Sequence, residues 1–473
     1  MKELKGKSMC FFSAKGGVGK TTNLLNLAGI FEQLEKKVLI IDMDLYSGGI
    51  AAYLNKKNEI ISRFLDCDMI GWTKNIDNEL VDKVIRVSEN IKRRSSCLVV
   101  IGIGGSFLGS YAVKEMMGKY FDNNQFEVIY AGTTLSSEYM DELLKYLWGI
   151  DFTVNVISKS GTTMETTITY DLIKDLMKKK YSKEEMCERI IVTTDEINGS
   201  LRKEVNEEGY ESFVIPNDIG GRYSIVTAAH LLPLACNINI KEFVRGLNSG
   251  RKYLDDAYNY AVVRKCLFDI GKVVENYVVY EEKMSYFTEW LKQLFGESEG
   301  KNGVGILPTS TVHTRDLHSL GQFIQEGNKI QFETFFKVGE SNYLEYKNTN
   351  LHSINNVVLD SVLKAHYLGS VPCNVIELEK VDEFNIGEVM YFFMISAAFS
   401  SLLFDVNPFD QPGVEDYKKL SYLIKNSEML ALSAINIENV VGFDKDGIHK
   451  VTKTKYRNKD INDRDEYDKE GYN

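Results

Sequence analysis

From about residue 98 to residue 215 the chain alternates short apolar runs with helix-spaced segments, and its turns are rich in Gly, Ser and Thr. The runs at 98–103, 126–131, 152–158, 189–193 and 212–215 read as strands, and 79–93, 108–118, 136–147 and 163–178 read as helices, the first of them polar. A run that is apolar throughout, rather than at every second position, belongs to a strand covered on both faces, and parallel strands need a crossover helix between them. The succession therefore predicts an α/β fold built on a parallel, doubly wound sheet flanked by helices.

Beyond Arg222 the pattern becomes mainly helical, with apolar strands expected at 330–337 and 374–378 and a long apolar helix after Gly387, which together read as a second α/β lobe. The most lipid-like stretch, 389–404, falls short of the ~20 residues that span a bilayer and is expected to be a buried helix. At the amino end a strand at 9–13, a helix at 21–34 and a strand at 38–42 make one βαβ unit. The expected division is 1–55, a truncated βαβ fragment; 56–225, the first lobe; 226–430, the second lobe; and 431–473, a polar tail. That tail has too few aliphatic side chains to offset its ordering entropy and is expected to be mobile.

Composition removes several function classes. Lys plus Arg number 56 against 67 Asp plus Glu, a formal charge of −11 that repels phosphate backbones, so no nucleic acid partner is expected. The seven cysteines contain no Cys-x-x-Cys pair and read as buried thiols of a reducing cytoplasm. No two of the six histidines are spaced as metal ligands on one helix face, so neither a metal nor a cofactor is expected. No export signal or membrane anchor is read, and the expected location is the cytoplasm.

Two turns between a strand end and a helix start carry the chemistry. The first is Gly102-Ile-Gly104-Gly105-Ser106; the second is Ser158-Lys159-Ser160-Gly-Thr-Thr163, running on to Thr166. Free backbone N–H groups and the positive end of a helix dipole point at an anion bound there, and the hydroxyls add donors. The first turn is not a dinucleotide fingerprint, because Phe107 stands where the third glycine belongs. A third segment, Gln293-Leu-Phe-Gly-Glu297-Ser-Glu-Gly-Lys301, places a carboxylate on a glycine-bounded loop after an aromatic helix, where it can serve as a base.

Together with Asp218-Ile-Gly-Gly-Arg222-Tyr-Ser224, Asp316-Leu-His318-Ser-Leu-Gly-Gln322 and Asn407-Pro-Phe-Asp-Gln-Pro-Gly-Val-Glu-Asp-Tyr-Lys418, these segments closely resemble the bacterial glucose-6-phosphate isomerase family, in order and spacing, from about Phe64 to about Lys425. The resemblance implies two sugar-isomerase lobes and a substrate that is glucose 6-phosphate or fructose 6-phosphate. Ser106, Ser158, Ser160, Thr163 and Thr166, with Gly104 and Gly105, match its phosphate site. Glu297 matches its base, Arg222 and Lys159 the cations beside a cis-enediolate, and Gln293 a substrate-facing amide. His318 and Lys418 match the ring-opening pair, and Glu165 the acid that orients the histidine. A homodimer in which His318 serves the neighbouring chain's site is also implied.

The amino end departs from that family. Lys15-Gly-Gly-Val-Gly-Lys20-Thr21-Thr22 resembles the deviant P-loop of ParA- and MinD-type ATPases, with Lys15 as signature lysine, Lys20 on phosphate, Thr21 on magnesium, and Asp42 and Asp44 as the acidic pair. Nothing after Asn55 supplies the further strands such an ATPase needs, so the reading is a truncated fragment joined to an isomerase. The rivals are a partitioning ATPase and a sugar-phosphate sensor without catalysis. The sensor predicts a broken base or histidine, and both are intact.

Overall fold

The computed structural model describes residues 49–121 and 125–414, and after them only short strands at 435–436, 442–443, 449–450 and 455–456. The βαβ unit read at 9–42, with Lys15, Lys20, Thr21 and Asp42, lies outside the described residues, as do Asp44 and Lys418.

Helices α1 (Gly49–Asn55) and α2 (Lys57–Leu65) lead to α3 (Asn78–Arg94). The Asp77 carboxylate accepts the Glu79 N–H at 3.0 Å and starts α3, while Lys92, Arg93 and Arg94 end it where the helix dipole favours cations. The helix read as polar is in fact two-faced. Val81, Val84, Val87 and Ile91 recur at intervals of three and four and are all buried.

The first sheet follows as β1 (Cys97–Ile101), α4 (Leu108–Met117), β2 (Glu127–Ala131), α5 (Ser137–Trp148), β3 (Phe152–Ile157), α6 (Met164–Lys180), α7 (Lys183–Arg189), β4 (Ile190–Thr194), α8 (Ser200–Glu208) and β5 (Glu211–Val214). Every strand pair is parallel and the order is β2-β1-β3-β4-β5. Along β1, Leu98 and Val100 enter one hydrophobic core while Cys97, Val99 and Ile101 enter another, so helices cover both faces. The chain reverses its direction of winding between β1 and β3, and ligands of open α/β sheets bind in the crevice at such a point, outside the carboxyl ends of the strands.

Helices α9 (Ala228–Ala235), α10 (Ile240–Ser249) and α11 (Leu254–Asp269) connect to the second sheet. There β6 (Val274–Val279), α12 (Ser285–Glu299), β7 (Leu307–Val312), α13 (Leu317–Glu326), β8 (Gln331–Glu340), β9 (Glu345–Tyr346), β10 (Thr349–Asn350), α14 (Leu351–Leu368), β11 (Cys373–Lys380) and α15 (Glu383–Leu403) follow in turn. The four-stranded sheet is parallel, in the order β11-β8-β6-β7, with β9 and β10 forming a separate small hairpin. Helix α15 is apolar enough and long enough to cross a membrane, yet the whole apolar stretch is buried inside the protein.

Strands β6 and β7 were not among the expected ones. β6 carries Glu275 and Asn276 in its interior, which interrupts the apolar run, and β7 is an edge strand with Pro308 and three hydroxyl residues. Glu275 is tolerated because Arg264, Tyr260, Tyr277 and Thr334 all hydrogen-bond to it.

A continuous core runs from Ile60 to Phe409 beneath both sheets, and the compact unit that holds them ends at Asp410. Residues from Gln411 form a second unit, in which 435–436 pairs with 455–456 and 442–443 with 449–450, both antiparallel. The cysteines depart from the expectation. Among the described residues only Cys97 and Cys236 are buried, while Cys67, Cys187, Cys266 and Cys373 are half-buried at element ends and boundary faces; Cys10 lies outside them.

Candidate active site

Both Gly/Ser/Thr turns lie at the carboxyl ends of neighbouring strands. β1 and β3 are paired up to Ile101 and Val156, and a Cβ placed on Gly102 would meet the Ile157 side chain at 3.5 Å. Gly104 has φ +57, in the left-handed region that favours glycine, and a Cβ there would come within 3.1 Å of the Gln293 amide nitrogen. Gly105 is tighter still. A Cβ on it would overlap the Gly221 carbonyl carbon at 2.2 Å, so the loop after β1 rests directly on the turn that carries Arg222. Ser106 is half-buried at the end of that loop.

In the second turn the Ser158 hydroxyl accepts the Gly161 N–H at 3.0 Å, and Ser160, at the exposed rim, accepts the Thr162 N–H at 3.2 Å. Thr163 is the residue before the first turn of α6 and makes no side-chain cap, which leaves the first N–H groups of α6 without a bond from it; Thr166 is buried one turn on. Lys159 points its ammonium at the Pro216 and Asn217 carbonyls, at 3.3 and 3.0 Å. Partial burial lowers its pKa. It thereby ties the loop after β3 to the loop after β5 that leads into Arg222.

Arg222 is buried and fully engaged. Its Nε donates to the Ser298 hydroxyl at 2.8 Å, Nη2 to the Pro408 carbonyl and at 3.1 Å to the Asp410 carbonyl, and Nη1 to the Glu297 carboxylate at 3.4 Å. Glu297 stands in the last turn of α12 and not on a loop after it, since the helix runs on through Gly296 to Glu299; its side chain is 30% exposed against 1% for Arg222. Its other oxygen accepts the Gln293 amide N–H at 3.2 Å across one helical turn. Among the described residues the buried Gln293 carbonyl oxygen has no partner, and it can accept a hydroxyl. A carboxylate open on one side, beside a guanidinium that cannot move, can take a proton from carbon while the cation stabilises the oxyanion that forms.

Three supporting residues were not singled out from the sequence. Ser298 holds Arg222 and also bonds the Tyr223 hydroxyl at 3.0 Å. Lys301, its ammonium pKa lowered by burial, pairs with Asp410 at 2.7 Å and bonds the Asn407 carbonyl, fastening the segment that Arg222 grips. His230, fully buried and with its pKa pulled down to about 4 by burial, lies between the loop after β1 and the Arg222 turn. A lone buried histidine gives no sequence signal that separates it from core packing.

His318 does not join this group within one chain. It is exposed at the start of α13, and among the described residues its side chain has no hydrogen-bond partner. Glu165 is half-buried in the first turn of α6.

Two Gly/Ser/Thr turns at the switch point of a parallel sheet, with an open carboxylate and a buried guanidinium close by, are the arrangement that a sugar-phosphate isomerase requires. The phosphoglucose isomerase family model matches residues 90–315. The chain is 44% identical over 381 residues to glucose-6-phosphate isomerase of Staphylococcus epidermidis, covering 74% of this chain and 86% of that one. To the enzyme of Streptococcus thermophilus it is 43% identical over 386 residues, with the same coverage. Among solved structures it resembles a hypothetical protein of Thermus thermophilus (TM-score 0.73, 25% identity, 82% of this chain and 100% of that one). It also resembles a glucose-6-phosphate isomerase of Chlamydia trachomatis (TM-score 0.66, 20% identity, 86% and 85%). The chain belongs to the glucose-6-phosphate isomerase family. An AAA domain model matches residues 6–137, which supports the P-loop fragment, although the described part of that span forms helices and the first two strands of the isomerase sheet.

Proposed function

We propose that this chain interconverts glucose 6-phosphate and fructose 6-phosphate, and that the pairing of Glu297 with the immobilised Arg222 carries the reaction. Ser106, Ser158, Ser160, Thr163 and Thr166 hold the phosphate. Glu297 removes the C2 proton of the open-chain aldose and returns it to C1, while Arg222 balances the negative charge on the enediolate oxygens. His318 and Lys418 move the proton that opens the ring, Glu165 orients the histidine, and no cofactor takes part. An assay coupling formation of glucose 6-phosphate from fructose 6-phosphate to a dehydrogenase tests this; absence of turnover by the intact chain overturns it. The expected location is the cytoplasm.

The second sheet argues for a shared site. Glu297 ends α12 and so lies near the amino end of β7, whereas His318 follows the carboxyl end of that strand. Six extended residues at ~3.3 Å each put ~20 Å between the two ends. A homodimer whose neighbour supplies His318 removes that gap, and the exposed Leu320 and Phe323 on α13 give such a contact apolar area. Mixing Glu297→Gln chains with His318→Ala chains, unfolded and reassembled at random, is expected to restore about a quarter of wild-type activity, since about half the dimers are mixed and each holds one intact site. No recovery, with mixed dimers seen by mass measurement, refutes the shared site.

The match to an AAA domain favours testing a second reading, nucleotide binding through Lys15, Lys20 and Thr21. Lys20→Ala is expected to leave isomerase turnover unchanged. Steady ATP hydrolysis by the purified chain, lost in this variant, would establish the ATPase reading instead.

A further inference from the structure

The loop after β1 and the turn carrying Arg222 meet backbone to backbone at Gly105 and Gly221, and one imidazole closes that junction. The Ser110 N–H donates to His230 Nδ1 at 3.0 Å. A backbone N–H can only donate, so Nδ1 carries a lone pair and the ring proton sits on Nε2. Nε2 is 2.7 Å from the Gly105 carbonyl oxygen and 3.0 Å from the Ser224 hydroxyl. The Ser224 hydroxyl lies 2.6 Å from the Gly221 carbonyl and 3.0 Å from that of Gly105.

Two tasks meet in this one ring. Ser110 is the third residue of α4, whose preceding residue Phe107 makes no side-chain cap, so Nδ1 satisfies an orphan N–H that a capping Ser or Asp would otherwise take. Nε2 fixes the peptide between Gly105 and Ser106, and with it the orientation of Ser106. Room for the ring exists because residue 109 is glycine: a Cβ there would lie 3.2 Å from the imidazole Cε1.

We propose that His230 is a positioning residue for the isomerisation, setting the phosphate loop at a constant distance from Arg222 so that phosphate and enediolate are held in register; this rests on the isomerase reading given above. Helix capping and loop positioning use different ring nitrogens and can be separated. Asn places a carbonyl oxygen near the Nδ1 position but is too short to reach the Gly105 carbonyl. Gln extends an amide N–H to the Nε2 position.

The test compares His230→Asn and His230→Gln in the full chain, by kcat and KM and by calorimetric titration with inorganic phosphate. The Gln variant is expected within about fivefold of wild-type kcat/KM, whereas the Asn variant loses about a hundredfold, the scale of a misplacement near 1 Å. Phosphate affinity is expected to fall with Asn and to be kept with Gln. Equal activity of the two folded variants, or a more active Asn variant, makes His230 a helix cap only and overturns the proposal. If the Asn variant does not fold, Ser224→Ala, which strips a second bond from the same carbonyl, is expected to lower kcat/KM about tenfold; a wild-type value overturns the proposal. If the wild-type chain fails to isomerise, the isomerase reading falls, while the phosphate titrations still decide whether His230 sets the anion loop.

Discussion

Replacing Glu297 by Gln is expected to lower kcat by about 10²–10⁴-fold while substrate affinity changes little. The amide keeps the shape of the carboxylate. Its oxygen can still accept from Arg222 Nη1, and a half-turn of the Gln293 amide brings that residue's carbonyl oxygen, which is buried and without a partner among the described residues, to the new N–H groups. The side chain therefore stays in place and loses only its ability to accept the C2 proton. Initial rates in the coupled assay, substrate binding by calorimetry and exchange of the C2 hydrogen with solvent separate these effects. Turnover within tenfold of wild type, or continued C2 exchange, would remove Glu297 from the role of base.

The second large effect concerns stability and lies just behind the base. Arg264 is wholly buried and bridges two wholly buried carboxylates. Its Nε donates to Glu275 at 2.7 Å, Nη1 and Nη2 to Glu299, and Nη1 also to the Ser400 hydroxyl at 2.6 Å. Burial raises the pKa of Glu299 even with this cation beside it. Arg264→Met fills much of the volume but leaves two carboxylates without a counter-charge, and such a break typically costs about 3–5 kcal/mol. The urea midpoint is expected to fall accordingly. Because Glu299 closes the same helical turn that presents Glu297 and Ser298, activity should fall before the chain unfolds. A midpoint equivalent to less than about 1 kcal/mol of change would show that the network is dispensable.

The two turns proposed to hold the phosphate were legible because their chemistry is local. Glycine at 104 and 105, hydroxyls at 106, 158, 160, 163 and 166, and a strand before each turn are all properties of a few consecutive residues. The first sheet was legible for a similar reason, since β1 is apolar throughout and β3 interrupts its apolar run only with the uncharged Thr153 and Asn155. β6 was not, because a strand with a charged interior residue departs from that pattern, and only the tertiary partners of Glu275 make the departure affordable. His230, Ser298 and Lys301 escaped notice because each works through a residue more than seventy positions away: Gly105, Arg222 and Asp410.

By itself, then, the sequence determined the α/β class, the order of the chemical segments and the carboxylate proposed as the base, since alternation, turn chemistry and motif order are written in neighbouring residues. Which groups stand together was decided only by the tertiary structure. Glu297 meets Arg222 across 75 positions because α12 packs against α4 and against the turn that carries Arg222, and Gly105 meets Gly221 because parallel strands bring distant loops to one edge of a sheet. The chain also sets His318 apart from Glu297, although only 20 residues lie between them, because the length of β7 runs between the end of α12 and the start of α13.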